Sequence, residues 1–182
     1  MMFMLDGEDQ TQDAYMMNYA AHREDVTTEA GWRQLRAHYM ANITQVDNMV
    51  GTINQALKDN GLEDNTIVVF TSEHGDMLGD HGMLEKRSMF EESARVPLLM
   101  KVPWLSKGNQ VIEGSVGHID LVPTLLDLIG HEVPDHLQGK SLKPVLEGEA
   151  DLSENDVFIS WNGYDNNVPD RFLGDIKINR ML

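Results

Sequence analysis

The residues best equipped for chemistry are Glu73 and His74, a carboxylate and an imidazole that directly follow the apolar run Thr66-Ile67-Val68-Val69-Phe70-Thr71-Ser72. That run is β-branched and aromatic, the composition of a strand covered on both faces. In open α/β sheets ligands bind at the carboxyl tips of the strands, so a site is expected here. Gly75 comes next and lets the backbone turn sharply. A carboxylate and an imidazole in this position can share a divalent cation. The carboxylate suits hard Ca²⁺ or Mg²⁺, and the imidazole widens the choice. The same two groups can equally form a structural hydrogen-bonded pair. Asp76 and Asp80, beside Gly75 and Gly79, read as turn residues.

The elements that must hold this pair lie on either side of it. Leu35, Tyr39, Ile43, Val46, Val50, Ile53 and Leu57 are spaced 4, 4, 3, 4, 3 and 4 residues apart, one apolar stripe on a helix. Thr27 or Thr28 can cap its start, and Gly61 its end. Leu62 to Asn65 then turn into the first strand. Beyond the loop punctuated by Gly79 and Gly82, Arg87 to Ala94 is expected as a short helix or loop. Val96 to Val102 is a second strand, with Pro97 at its first residues or on an edge. Asp120 to Ile129 reads as a helix with an acidic cap, Pro123 in its first turn and Gly130 past its end. Asp156 to Trp161 is the third strand candidate. This succession predicts an α/β fold, part of a mostly parallel sheet flanked by helices. The expected organisation is an irregular segment over 1–31, an α/β region over 32–161 and a tail over 162–182.

Composition narrows the partners. With 41% hydrophobic residues in 182, the chain can build a core. Its net charge of −16, from 14 basic and 30 acidic residues, argues against a phosphate-backbone binder, so no nucleic acid is expected. The absence of cysteine excludes disulfides, thiolate metal sites and a cysteine nucleophile. The apolar opening Met1-Met2-Phe3-Met4-Leu5 is too short for a signal peptide or a span, and no later run approaches spanning length. The compartment stays open. The twelve methionines read as core filling.

The segment from Asn65 to Gly82, with Thr71-Ser72-Glu73-His74-Gly75-Asp76-Met77-Leu78-Gly79-Asp80-His81-Gly82 at its heart, resembles a signature of the sulfatase family. So do Lys86 and Phe90-Glu91-Glu92-Ser93-Ala94-Arg95-Val96-Pro97-Leu98. The likeness continues in Tyr39 to Asp47, His118 to Gly130 and Leu137 to Leu142, spanning roughly Gln34 to Gly148. Among relatives, the segment resembles the branch of choline sulfatases and iduronate-type sulfatases. The resemblance implies an alkaline-phosphatase-like sheet and hydrolysis of sulfate esters. It also implies a divalent cation, calcium first with magnesium or manganese as alternatives. Two early aspartates and a later Asp–His or Asp–Asn pair would bind it. The family's nucleophile is a hydrated formylglycine made within Cys/Ser-x-Pro-x-Arg, while the metal and nearby cationic groups neutralise the sulfuryl oxygens.

On this resemblance Glu73 and His74 match the later metal pair, with Glu where the family places Asp. The extra methylene suits calcium's loose coordination better than octahedral magnesium. Lys86 matches the lysine that contacts the sulfate ester, and its compact ammonium suits a sulfuryl oxygen. His81 lies close to the pair along the chain and is either a further catalytic candidate or only a loop histidine. Glu92 and Arg95 read as a structural ion pair, and His118 as a residue serving the start of the Asp120 helix.

The other half of such a site is not in this sequence. No serine begins Ser-x-Pro-x-Arg, there is no cysteine, and no Asp-Asp pair follows an early apolar strand. The chain is therefore expected to be the carboxyl-terminal part of a catalytic domain, inactive alone. Association with the missing amino-terminal portion, or with a second copy, is expected because three strands cannot complete a parallel sheet. A sulfate ester would be the complete enzyme's substrate. Two other readings stay open. One is a phosphonate or phosphate-ester hydrolase of the same superfamily, since these esters share tetrahedral geometry. The other is a non-catalytic domain that binds a cation or a partner.

Overall fold

The computed structural model describes residues 26–86, 88–105, 108–161 and 174–178. Most of the expected irregular segment (1–25), Arg87, and most of the expected tail (162–173 and 179–182) lie outside the described residues. The chain divides into two compact units, Met1–Pro103 and Trp104–Leu182.

In the first unit, helix α1 spans Glu29–Asp59. Thr28 caps it, its hydroxyl accepting from Gly31 N–H at 3.0 Å, and Glu29 in the first turn and Lys58 in the last complement the helix dipole. Gly61 follows with φ 65°, the left-handed terminus read from sequence. The apolar stripe is real, but only Leu35, Tyr39, Val50 and Leu57 are partly covered. Ile43, Val46 and Ile53 remain exposed among the described residues.

Strand β1 (Val68–Thr71) pairs with β2 (Leu98–Lys101). The pairing is antiparallel, with Val68 opposite Lys101 and Thr71 opposite Leu98. The expected parallel arrangement is thus not found between the described strands. The chain leaves β1, folds the site loop and returns beside the strand it left, which imposes the opposite direction. Helix α2 (Glu91–Ala94) stands just before that return.

The loop between the two strands is closed by backbone bonds. Gly75 N–H donates to Ser93 carbonyl at 2.8 Å, Met77 N–H to Glu85 carbonyl at 2.6 Å, and Gly79 N–H to Met83 carbonyl at 2.8 Å. Met77 and Leu84 are buried inside it. A Cβ on Gly75 would collide with the Glu92 carbonyl oxygen, so only glycine fits. At Gly79 (φ 100°) a Cβ would lie 2.7 Å from the Trp32 ring, so α1 packs directly on the loop. Leu78, His81 and Glu85 all hold positive φ, at 44°, 54° and 64°. Such strained non-glycine conformations cluster at functional sites.

In the second unit, a 3₁₀ turn over His118–Asp120 leads into α3 (Leu121–Leu128), followed by α4 (Lys143–Glu147). Strands β3 (Val157–Trp161) and β4 (Gly174–Ile178) pair antiparallel. β4 is a strand the sequence did not announce. Asp120 is buried and acts as a clasp: its carboxylate accepts from Gly117 N–H at 3.0 Å and from Lys140 N–H at 2.9 Å. The Thr124 hydroxyl donates to Asp120 carbonyl and accepts from Leu142 N–H at 2.9 Å. The Ser141 hydroxyl, and then Lys143, hold the Asp127 carboxyl below the usual carboxylate range. His118 is exposed at the start of the 3₁₀ turn. Among the described residues no helix is long and apolar enough to cross a membrane.

Two substitutions test these supports. Asp120→Ala strands two backbone donors and is expected to cost about 2–3 kcal/mol in denaturant unfolding. Gly75→Ala is expected to cost more than about 2 kcal/mol and to expose the amides of the site loop to hydrogen exchange.

Candidate active site

Glu73 and His74 leave the tip of β1 together. His74 Nδ1 lies 2.7 Å from the carbonyl oxygen of Gly75. A carbonyl only accepts, so Nδ1 carries the proton and Nε2 presents its lone pair. Nε2 in turn lies 3.6 Å from Glu73 Oε1, too long for a hydrogen bond. Two electron-rich atoms therefore face each other across a gap that a cation would fill. Anchoring the distal imidazole N–H on a backbone carbonyl is the usual support of a metal-bound histidine. The Glu73 side chain is 84% exposed, which leaves its oxygens open to an ion. On this geometry the pair fits a divalent cation. Among the described residues no three carboxylate or imidazole groups gather around one point.

The rest of the loop frames the pair. Asp76 accepts from Leu78 N–H at 2.8 Å, the turn role read from sequence. Burial raises the Asp76 carboxyl above the usual range, with the Leu78 bond opposing and the Glu85 charge adding to the rise. Burial, and then the Asp76 charge, raise the Tyr39 phenol. Tyr39 thus connects α1 electrostatically to the loop. Lys86 is half-buried and follows Glu85, whose carbonyl is bonded to Met77 N–H. That bond brings the backbone preceding Lys86 back to within three residues of His74 along the chain.

His81 does more than sequence spacing suggested. Its ring stacks on Phe90 at 3.9 Å between centroids and 5° between planes. Its Nε2 lies 3.7 Å from Glu92 Oε2. Glu92 was expected to pair with Arg95, but Arg95 instead reaches Glu91, at 3.4 Å. Helical spacing allows both partners, Glu91 at (i, i+4) and Glu92 at (i, i+3), so the sequence carried no signal that chose between them. The Phe90 stack had no signal either. A recess lined by Thr27, Thr28, Glu29, Trp32, Arg36 and Gly79 contains none of Glu73, His74, His81 or Lys86.

The sulfatase family model matches residues 5–131. A curated N-acetylglucosamine-6-O-sulfatase of Bacteroides thetaiotaomicron is 39% identical over 148 residues, covering 79% of this chain and 26% of its own length. One solved structure, in complex with its substrate D-glucosamine-2-N,6-O-disulfate, aligns with a TM-score of 0.70 at 35% identity, covering 83% of this chain and 32% of that one. A phosphonate monoester hydrolase of Silicibacter pomeroyi aligns with a TM-score of 0.74 at 32% identity, covering 87% and 31%. The chain spans about a quarter of the length of the curated relatives it matches. With the family model covering most of the sequence, the chain belongs to the sulfatase family, within the alkaline phosphatase superfamily.

Proposed function

We propose that this chain carries one half of a sulfate-ester hydrolase site. Glu73 and His74 are the later ligands of a divalent cation, Lys86 meets the sulfuryl oxygens, and His81 handles the proton at the leaving oxygen. One observation carries the reading: the imidazole of His74 is locked by the Gly75 carbonyl so that its lone pair faces the Glu73 carboxylate. Calcium is the first choice of ion, with magnesium or manganese as alternatives, because an extended Glu73 needs tolerant coordination. When bound, the ion would supply positive charge that polarises the ester. Lys86 adds a point charge on the same anion.

This sequence contains no cysteine and no Ser-x-Pro-x-Arg, so the nucleophile is assigned to the remainder of a complete enzyme. That remainder would also supply the parallel neighbours of β1 and cover the exposed face of α1 within the proposed α/β region over 32–161. The chain alone would be inactive and would associate with that portion or with a second copy. The choline- and iduronate-type branch rests on the signature residues alone. A second reading, phosphonate or phosphate-ester hydrolysis, is favoured by the likeness to the phosphonate monoester hydrolase.

Two measurements separate these possibilities. Calorimetric titration of this chain with calcium is expected to give binding of about millimolar strength, lost in His74→Ala; no heat at several times that concentration would remove the metal half-site. For the complete enzyme, paired para-nitrophenyl sulfate and phenyl phosphonate assays are expected to favour the sulfate. A preference for the phosphonate would establish the second reading instead.

A further inference from the structure

His81 is more tightly constrained than a half-exposed loop histidine needs to be. Its backbone sits at φ 54° and ψ 22°, a left-handed conformation that costs a β-carbon residue about 1 kcal/mol or more. Its ring is fixed in plane by Phe90. One of its two nitrogens, Nε2, is turned toward a carboxylate. That carboxylate is unusual too, because Glu92 Oε2 is buried and has no hydrogen-bond partner among the described residues. A buried acceptor left unsatisfied is unfavourable until a donor reaches it. At 3.7 Å the His81 nitrogen is too far for a hydrogen bond but near enough to close by side-chain rotation.

Glu92 also occupies a mechanically privileged place. Its own carbonyl packs against Gly75, and the next carbonyl, that of Ser93, accepts from Gly75 N–H. The residue that faces His81 therefore rests on the backbone beside His74. Any displacement of α2 moves both.

We propose that Glu92 is a positioning residue for His81, selecting the Nε2–H form and leaving Nδ1 as the nitrogen that exchanges a proton with the leaving oxygen. The inference rests on the role given to His81 above. As the sulfur–oxygen bond breaks, its electron pair stays on the leaving oxygen, which takes the proton from Nδ1. The ring is then neutral with Nε2–H still directed at Glu92. The carboxylate orients the ring, and the stack on Phe90 holds its plane. A carboxylate two residues beyond an aromatic can thereby convert a mobile loop histidine into an oriented proton carrier.

The test combines kinetics with a readout independent of activity. In the complete enzyme acting on para-nitrophenyl sulfate, Glu92→Ala is expected to lower kcat about tenfold with KM unchanged. Glu92→Gln, whose amide oxygen still accepts from Nε2–H, should restore most of that loss. In a His81→Ala background Glu92→Ala should add nothing. In this chain labelled with ¹⁵N-histidine, the Nε2–H proton of His81 should be visible in the parent and in Glu92→Gln but absent in Glu92→Ala. The Phe90 ring-current shift on His81 reports an intact loop. Equal losses from Glu92→Ala in both backgrounds, or no visible Nε2–H in the parent, would overturn the proposal. An enzyme inactive on the aryl sulfate overturns the hydrolase reading instead, while the N–H signal still decides whether Glu92 holds the ring.

Discussion

The contact between Gly75 and helix α2 governs everything around it. Gly75 N–H reaches the Ser93 carbonyl, and the space a side chain would fill is taken by the Glu92 carbonyl. Through this one approach the chain, having just placed Glu73 and His74 at the end of β1, is brought against the segment that leads into β2. The loop's small core, Met77 and Leu84, fills in behind it. Without that closure the carboxylate and imidazole would be two neighbours on a free turn. With it, His74 is pinned to the next carbonyl, and its other nitrogen has one direction in which to point.

The strain in the loop has the same origin. Three non-glycine residues adopt left-handed backbone between Leu78 and Glu85, each against the sterics of its own β-carbon. A chain free to relax would not keep them. They persist because cross-loop backbone bonds and the packing of Trp32 over Gly79 leave no alternative path. The backbone at His81, and that leading to Lys86, is thereby held in a fixed course.

The second unit shows a different economy. Asp120 and Thr124 use short polar side chains to satisfy backbone groups on the segments that precede and follow α3. Its sequence likeness to the family therefore has a structural explanation that calls on no chemistry. His118, next to Gly117, is exposed, and none of the bonds of that clasp involves its side chain.

Much was already legible in the residues. The long helix, its Thr28 cap and Gly61 end, the strand before Glu73, the second strand, the Asp120 helix and the turn role of Asp76 follow from local rules, because periodicity, capping and turn chemistry act over a few residues. The family signature likewise named Glu73, His74 and Lys86 as candidates, and nearness along the chain added His81. Strand direction did not follow from sequence, since an apolar run is the same whether its neighbour is parallel or antiparallel. Nor did β4, the Phe90 stack, or the choice of Glu91 over Glu92 by Arg95. These depend on which surfaces meet after the chain has folded back on itself, and adjacent residues such as Glu91 and Glu92 differ only in the direction they face. Residue types and their order set which groups are available, whereas the folded chain sets which of them face one another, because only long-range closure fixes those directions.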